Sequence, residues 1–578
     1  MSSVFDRLAT SMHSTISYLS VAGSKTNIPS SPALLLFAFV LLVPWYTTHA
    51  IYNLYFSPLS SIPGPKLAAF SDLWLIFHGA LRFRQCKVIH ELFETYGPVV
   101  RIGPGKVAFK DLGSGKVVYG GSIGAGGGGA RFEKSSWYKS MMTNDNDHAM
   151  TVLPHSLHAP RKKAYSGHYN PTNLSTFQPE VHHFTLLLVD VLNQHANEPI
   201  DSLLLFRQLM IDVISATSFG PGNQSLQGAG ALESWAAGGS ESALSKAIGD
   251  FAKRGLMRSV FPRCAWALIS RIPNKRWREL CDSDSILAEI VTSRVREARR
   301  QLADEKAELS KESTQDPERE ITTVPLAHHL LQFRTPTTKE PMPEKHIISE
   351  LMGHLIAGSD TTSTTLSYLC WELSRKLAVA KKLQAEVDSV IKGSDLRSIP
   401  DISVIQNLPY LNAIVQEGLR LYSAGPSLLE RVVPSTMNTR ATPPGSEGYD
   451  LLGFALPPGT IVGTQAWSLH RDPHVFSSPD DFDPERWVSD PDFQSSPHHT
   501  DEHSTLKMHQ YMMPFGLGTR ICGGRNLALM LLKVVAFAIV RNFEIVAPDS
   551  TTEGSMEIMD SFVIFPASGE CKLVFKIR

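Results

Sequence analysis

The chain has 578 residues, 43% of them hydrophobic, and this length and composition are enough to bury a large core. Its formal net charge of −1 excludes a strongly basic surface, so we expect no nucleic-acid partner. Six cysteines are scattered without the spacing of a disulfide framework, which indicates a reducing compartment and argues against a disulfide-stapled secreted protein.

The first apolar segment is predicted to anchor the chain in a membrane. No Asp, Glu, Lys or Arg occurs between Lys25 and Lys66, and residues 33–56 are long enough to cross a bilayer. A cleaved signal peptide and a buried helix are the alternatives, but residues 1–32 are unusually long for a signal peptide. Basic residues are more frequent after the segment than before it, so we expect a single transmembrane helix with the body in the cytosol.

A proline-rich joint follows the predicted anchor. Residues 57–65 read Ser-Pro-Leu-Ser-Ser-Ile-Pro-Gly-Pro, a composition that makes a stiff linker. We therefore expect residues 66–578 to form one large domain that this hinge holds at a set angle to the membrane.

The start of that domain is predicted to combine helix and strand. Residues 72–93 have the pattern of a helix, and residues 98–102 and 106–109 that of short strands, which together suggest a small sheet flanked by helices. Residues 113–129 are dense in glycine. Because no Gly-Lys-Ser/Thr follows and no strand and helix frame them, a flexible loop is favoured over a phosphate-binding loop.

The middle of the chain reads as a series of amphipathic helices, notably over residues 203–217 and 282–300. The stretch His158-Ala-Pro-Arg-Lys-Lys163 opens a helix with a cluster of positive charge, and a solvated helix end is the plainest explanation of such a run. Residues 228–242 suggest a mobile connection, and residues 303–320 a disordered surface loop.

A long apolar helix is predicted over residues 345–377, and polar residues interrupt its centre. Ala-Gly-Ser-Asp-Thr-Thr occupies residues 357–362, where glycine and threonine weaken a helix and a buried Asp is costly unless it is used or paired. The same residues also fit an N-cap at Ser359 or Asp360 that starts a new helix. Apolar periodicity on both sides favours one helix with a functional interruption.

A second helix, over residues 408–421, carries Glu417 and Arg420 at a spacing of three. Alone, these two residues fit an ordinary surface ion pair worth a few tenths of a kcal/mol. The sequence Pro484-Glu-Arg-Trp487 follows about seventy residues later. Between these motifs, residues 426–431 and 460–469 are plausible strands of the small sheet.

The carboxyl-terminal part contains a cysteine on a glycine-rich loop ahead of a helix. The loop spans Phe515–Gly524, the apolar run covers residues 526–540, and residues 561–565 and 571–576 are predicted to form a terminal hairpin. Unpaired N–H groups at a helix start are expected to lower the pKa of Cys522 and favour a thiolate, the form that binds metal.

Cys522 has two interpretations. It could be a buried small hydrophobe, the usual fate of a lone cysteine beside an apolar helix. One cysteine cannot build a tetrahedral zinc site, since no partner lies two to four residues away, but it is enough for an axial thiolate on haem.

The pattern Phe515-x-x-Gly-x-Arg-x-Cys-x-Gly524 resembles the haem-binding loop of cytochromes P450. The motifs at 357–362, 417–420 and 484–487 stand in the order of that family, and the resemblance covers roughly residues 60–578. It implies a mainly α fold with small β-sheets, a triangular prism preceded by one N-terminal transmembrane helix. In this interpretation residues 66–578 are the haem-thiolate catalytic domain.

The resemblance also implies a set of cofactor contacts. The cofactor would be haem b, with Cys522 as the axial ligand of its iron and Phe515 packed near the thiolate. The residues implied to hold the haem propionates are Arg520, Arg431, and the pair His158 and Lys162, with Arg161 as a competitor.

Two further groups of residues receive roles from the resemblance. Thr361 would hold water against bound dioxygen, and Asp360 would relay protons from outside. Splitting dioxygen needs two protons, and a hydroxyl backed by an acid can deliver them. Glu417, Arg420 and Arg486 match a buried structural triad of the family, whose role is architectural.

As a member of this family, the protein is expected to be a monooxygenase in the endoplasmic reticulum membrane that inserts one oxygen atom of O2 into an apolar small molecule. No flavin or nicotinamide module is evident, so electrons would come from NADPH through an NADPH-cytochrome P450 reductase, with cytochrome b5 as a second donor. The hinge and the loop insertions are similar to filamentous fungal members that tailor secondary metabolites. Oxidative phenol coupling or desaturation are the alternative reactions, and a non-catalytic haem-binding membrane protein is the alternative class.

Overall fold

The computed structural model describes the chain in nine stretches. They are residues 43–120, 131–220, 230–238, 241–261, 263–309, 324–391, 398–435, 449–488 and 502–578. The chain divides into two compact units, residues 1–57 and residues 58–578.

The predicted transmembrane segment, residues 33–56, lies partly outside the described residues. Residues 43–51 are α-helical and Tyr52–Phe56 form a π-helix. Within the part of the chain that is described, the helix with the length and hydropathy of a membrane span is Ser202–Phe219, and 83% of it is buried in the protein, as in a core helix. The membrane anchor therefore stays a prediction.

The second unit is mostly helical, as expected. Its helices of more than ten residues are α1 (Gln85–Tyr96), α2 (His155–Ser166), α3 (Gln178–Gln194), α4 (Ser202–Phe219), α5 (Ala243–Val260), α6 (Lys275–Leu309), α7 (Glu344–Arg375), α8 (Leu377–Val390), α9 (Pro409–Leu421) and α10 (Arg525–Asn542). Shorter helical segments are Lys66–Phe70, Leu73–Ile76, Phe77–Leu81, Leu112–Gly120, Ser136–Met141, Pro171–Ser175, Ala231–Ala236, Arg263–Ile269, Leu326–Gln332, Ile402–Gln406, Ala466–Leu469, Pro484–Trp487, Glu502–Tyr511 and Gly518–Arg520.

Helices α4 and α7 pack against each other in the main core. Helix α4 is buried at nearly every position, including polar residues such as Gln208 and Asp212, and each fully buried Leu or Ile contributes about 1.5–3 kcal/mol. Their close approach depends on Gly358, where an added Cβ would lie 2.8 Å from the Ile214 side chain. A larger residue at 358 would push the two helices apart at the polar centre of α7.

Helix α10 is also buried along most of its length. It packs against α3, α7 and α8, and it begins three residues after Cys522. The core therefore holds the cysteine loop in place through the helix that follows it.

Small sheets complete the unit. The strands are β1 (Val99–Gly103), β2 (Lys106–Phe109), β3 (Glu133–Lys134), β4 (Pro199–Asp201), β5 (Arg431–Val432), β6 (Tyr449–Leu451), β7 (Phe454–Leu456), β8 (Ile461–Gly463), β9 (Phe543–Val546), β10 (Ile558–Ser561), β11 (Val563–Pro566) and β12 (Lys572–Ile577). A five-stranded sheet has the order β1-β2-β8-β5-β3, with β2 and β8 parallel and the other pairs antiparallel. A three-stranded sheet has the order β4-β12-β9, and β6-β7 and β10-β11 are two-stranded.

The predicted terminal hairpin is wrong. Strand β11 pairs with β10, whereas β12 pairs with β9 and with β4, more than 350 residues away in the chain. Of the two strands predicted around the second helix motif, residues 460–469 supply β8 and then a short helix, and residues 426–431 supply only the start of β5.

Three predictions for other local elements also need correction. The helix predicted over 72–93 is broken into separate segments before Gln85. The start of the glycine-dense stretch 113–129 is helical, and residues 121–130 lie outside the described residues. Helix α6 extends through residue 309, so the loop predicted over 303–320 starts as helix, because Ala, Glu, Lys and Leu at this end are strong helix formers.

Candidate active site

A tight loop carries Cys522 to the start of α10. Gly518 has a φ of +69°, and a Cβ added there would lie 1.7 Å from the Tyr119 carbonyl oxygen, so only glycine fits. The Cys522 N–H donates to the Phe515 carbonyl at 2.9 Å and closes the loop. The loop therefore fixes the sulfur relative to both the helix and Phe515.

Protein atoms surround Cys522, but its side chain is accessible to solvent from an internal cavity that it lines. Burial raises the pKa of the Cys522 thiol. The backbone N–H groups of Gly524 and Arg525 and the charge of Lys162 lower this pKa, but burial has the larger effect. The expectation that the pKa is lowered is wrong for the protein alone, because desolvation outweighs the helix start. The donors that would hold a thiolate are nevertheless in place.

The polar centre of α7 faces the same cavity. Ala357, Asp360 and Thr361 are among its lining residues, and α7 is one uninterrupted α-helix. A new helix starting at Ser359 or Asp360 is therefore excluded. The Thr361 hydroxyl donates to the Ala357 carbonyl at 2.6 Å, which leaves its lone pairs able to accept a hydrogen bond.

Asp360 has a partner that the sequence did not reveal. Arg207 of α4 donates from Nε to Asp360 Oδ1 at 3.1 Å, and its Nη2 lies 3.1 Å from the same oxygen. Its Nη1 lies 3.5 Å from Glu241 Oε1, and Glu241 is 25% exposed. A charged residue in a helix hydrophobic enough to be a core helix is the available signal, since a buried charge needs a partner.

Two buried arginines lie on one wall of the cavity. Arg431, in β5, is 4% exposed and stands 5.0 Å from the centre of the Tyr119 ring. Arg520 donates to the carbonyls of Val152 and Leu153 at 2.9 and 2.6 Å, and burial together with Arg431 lowers its pKa to about 10. The charge of Arg431 lowers the pKa of Arg520, and two such cations on one wall mark a site for anions.

His158 and Lys134 extend this wall. His158 is buried, burial followed by the charge of Arg520 lowers its pKa to about 3, and no group of the described residues pairs with its Nδ1. Lys134 also lines the cavity and was not singled out from the sequence. Its Nζ donates to the Met150 carbonyl at 2.6 Å.

Lys162 and Arg161 do not line the cavity. Lys162 donates to the Thr519 carbonyl of the cysteine loop at 3.1 Å. Arg161, the predicted competitor, forms an ion pair with Glu350 at 2.7 Å. Of the basic residues at the start of α2, only His158 lies with the two arginines.

Glu417, Arg420 and Arg486 meet in one buried cluster, so the surface ion pair is excluded. Arg420 donates to both carboxylate oxygens of Glu417 at 2.8 and 2.7 Å, and Arg486 donates at 3.1 Å. The Asp483 N–H and the Trp487 indole N–H each add a bond at 2.9 Å. Burial opposes ionisation of Glu417, but its cationic and N–H partners outweigh it and lower the pKa.

These elements enclose a cavity of about 360 Å³. Its lining includes Phe251, Ile356, Ala357, Thr361, Leu429, Arg431, Phe515, Arg520, Cys522, Leu527, Leu531 and Phe562. One sulfur donor, two buried arginines and the orphaned His158 nitrogen fit a metal-centred group that carries acidic side arms. The fold and site thus fit the class of proteins that bind a prosthetic group through a single cysteine.

The chain belongs to the cytochrome P450 family: the family model described as Cytochrome P450 matches residues 68–573. Membership places the protein among the P450 monooxygenases and implies haem as the cofactor. The predicted family and enzyme class are therefore confirmed, as is a mostly helical fold with small sheets.

The relatives are fungal enzymes. Cytochrome P450 monooxygenase stcB of Emericella nidulans is 27% identical over 89% of this chain and 88% of the relative. Cytochrome P450 monooxygenase sdnE of Sordaria araneosa is also 27% identical, over 91% and 94%. N-acetyltryptophan 6-hydroxylase ivoC of Emericella nidulans is 26% identical, over 93% and 96%. The solved cytochrome P450DA heme domain, with a TM-score of 0.65 and 18% identity over 89% of this chain and 98% of that one, supports the fold.

Proposed function

We propose that the protein inserts one atom of dioxygen into an apolar small molecule. The observation that carries this proposal is that Cys522 and Thr361 line one cavity with largely apolar walls. Haem b, when bound, supplies an iron whose thiolate ligand favours cleavage of the O–O bond. Cys522 serves as the axial ligand, and Arg520, Arg431 and His158 hold the propionates.

The loop residues support this role. Phe515 covers the cysteine loop from the cavity side, and its carbonyl accepts the Cys522 N–H. Lys162, held at the Thr519 carbonyl, lowers the pKa of Cys522 and thereby favours the thiolate. The loop thus orients the sulfur and steadies its negative charge.

Proton delivery falls to Thr361 and Asp360. The Thr361 hydroxyl donates to the Ala357 carbonyl, so its lone pairs can accept a hydrogen bond from a water that enters the cavity. Arg207 links Asp360 to Glu241, which is partly exposed to solvent. Because arginine stays protonated, a proton relay through Asp360 requires Arg207 to move away from its carboxylate.

Thr361→Ala tests this function. With a reductase, NADPH and a ligand that shifts the haem absorption band, we expect more hydrogen peroxide per NADPH consumed and at least about tenfold less product, because proton delivery is impaired. Thr292→Ala is the matched control, since Thr292 makes the same bond to the carbonyl four residues earlier, at 2.6 Å in α6. Equal coupling in wild type and Thr361→Ala would exclude the proton-delivery role.

The relatives favour hydroxylation in fungal secondary metabolism. One of them is named for hydroxylating N-acetyltryptophan, an aromatic compound that carries a carboxylate. Phenol coupling or desaturation remain alternative outcomes, because the same oxidant serves each and the placement of substrate in the cavity decides among them.

Electrons reach the haem from NADPH through an NADPH-cytochrome P450 reductase, with cytochrome b5 as an additional donor. The protein is anchored in the endoplasmic reticulum membrane by residues 33–56, and its catalytic domain faces the cytosol. The support is the uncharged apolar run itself and the excess of basic residues after it.

Deleting residues 1–56 tests the anchor. We expect the shortened protein to move from the membrane pellet to the soluble fraction and to keep the haem spectrum of the full-length chain, because the second compact unit starts at Pro58. Ultracentrifugation and absorption spectroscopy, with the full-length chain processed in parallel, provide the measurement. Loss of all haem-bound protein would mean that the segment is part of the core.

A further inference from the structure

His470 is a fully buried histidine that does not line the cavity. It follows the short helix Ala466–Leu469, and its two ring nitrogens have different partners. Nδ1 lies 2.9 Å from the Arg420 carbonyl oxygen, and Nε2 accepts the Met513 N–H at 2.8 Å. Arg420 belongs to the buried charge cluster, whereas Met513 lies two residues before the cysteine loop. One imidazole therefore joins the charge cluster to the segment that leads into the loop.

The partners of His470 fix the protonation of its ring. A carbonyl oxygen can only accept a hydrogen bond and an amide N–H can only donate one, so the proton lies on Nδ1 and the lone pair on Nε2. Burial lowers the pKa of His470 to about 3, which keeps the ring neutral. The two bonds thus require a neutral imidazole in one tautomer, and the surroundings supply it.

The Arg420 end of this connection is held firmly. Arg420 Nη1 donates to the His470 carbonyl at 2.9 Å, so the two residues exchange a pair of hydrogen bonds. The remaining nitrogens of the same guanidinium donate to both Glu417 carboxylate oxygens at 2.8 and 2.7 Å, and both side chains are fully buried. The imidazole is therefore attached to a fixed point in the core.

The Met513 end continues into the cysteine loop. The Met513 carbonyl accepts the Gly516 N–H at 3.0 Å, in a turn where Gly516 has a φ of +75°. Phe515, within that turn, accepts the Cys522 N–H at 2.9 Å. A shift of Met513 would move Phe515, and with it the bond that closes the loop around the sulfur.

We propose that His470 is a positioning residue for the haem ligand. By holding the Met513 N–H at a set distance from the charge cluster, it determines where the loop places the sulfur of Cys522. His470 acts only through the intervening chain, because its ring does not line the cavity. This inference rests on the proposed ligation of haem by Cys522 and adds a residue that orients the ligand.

Two replacements of His470 test the proposal on the full-length, haem-loaded protein. His470→Phe keeps a ring but removes both hydrogen bonds, whereas His470→Gln keeps a donor and an acceptor on neighbouring atoms. We expect the reduced, carbon monoxide-bound His470→Phe protein to lose its thiolate-type band at least about tenfold faster than wild type, because a buried N–H and a buried carbonyl lose their partner. The reduction potential of its haem should also shift, and His470→Gln should restore both properties. If His470→Phe yields no haem protein, His470→Asn replaces it, because its amide is too short to reach both partners.

His168→Phe is the matched control. His168 is also fully buried with a pKa lowered to about 3, and its Nδ1 lies near the Asn173 amide at 3.4 Å, away from the charge cluster. It should lower the urea midpoint without shifting the reduction potential.

A His470→Phe protein with a lower urea midpoint but the wild-type potential and rate of band loss would overturn the proposal, since His470 would then contribute to stability alone. So would a His470→Gln protein that behaves like His470→Phe, since the two hydrogen bonds would not be the cause. A wild-type protein without the thiolate-type band would instead refute ligation by Cys522, so the two failures are distinguishable.

Discussion

Replacing Cys522 with alanine is expected to abolish the thiolate-type absorption band of the reduced, carbon monoxide-bound protein. Among the cysteines whose side chains are described, Cys522 is the one that lines the cavity. Without its sulfur, no described residue at that position can supply a thiolate to iron. The measurement is a carbon monoxide difference spectrum of purified protein expressed with added haem precursor.

Cys281→Ala is the control for this experiment, because Cys281 is half-buried on α6 and does not line the cavity. It should keep the full spectrum. If the Cys522→Ala protein retained the thiolate-type band, another ligand would hold the iron, and both the ligand assignment and the proposed function would be wrong.

The second large effect is expected from Glu417→Gln. The substitution leaves Arg420 and Arg486 buried without the carboxylate that accepts from both, and breaking such a pair costs about 3–5 kcal/mol. We expect a lower urea midpoint and less soluble haem protein. The control is Glu553→Gln, since Glu553 is 84% exposed beside Arg375 and its loss should stay within about 0.5 kcal/mol.

The same cluster predicts a pH dependence. The pKa of Glu417 is lower in the folded protein than in the unfolded chain, so its contribution is present above the ordinary glutamate range and lost as pH falls through the folded value. The urea midpoints of wild type and Glu417→Gln should therefore converge toward acid pH. If the difference between the two urea midpoints stayed constant at low pH, the negative charge of Glu417 would not contribute to stability.

Local elements are predicted correctly where the residues that form them lie close together in the sequence. The i,i+3 spacing of Glu417 and Arg420 needs only one helix, and the glycines around Cys522 describe one loop. The location of α7 also followed from its own apolar periodicity. Pairing between distant segments is not predicted correctly. Strand β12 pairs with β4 and β9, and no pattern within these short strands indicates which strand lies next to which.

Charges inside the cavity show the same limit. Arg207 and Asp360 are separated by 153 residues, and only the packing of α4 on α7 reveals that they pair. Lys134 lies on a two-residue strand in a region of weak pattern, so its place beside Arg431 could not be inferred. The prediction for the pKa of Cys522 is wrong because burial sets the desolvation of its sulfur. That burial depends on segments far from the loop in the sequence.

By itself, the sequence determined the family, the cysteine that faces the cofactor site, and most of the long helices, because each depends on residues close together in the chain. Only the tertiary structure decided which strands pair, which cations face the cavity, and which of them already have partners. Those outcomes depend on segments hundreds of residues apart being buried together, and burial sets both the strength of a charge and its need for a counter-charge.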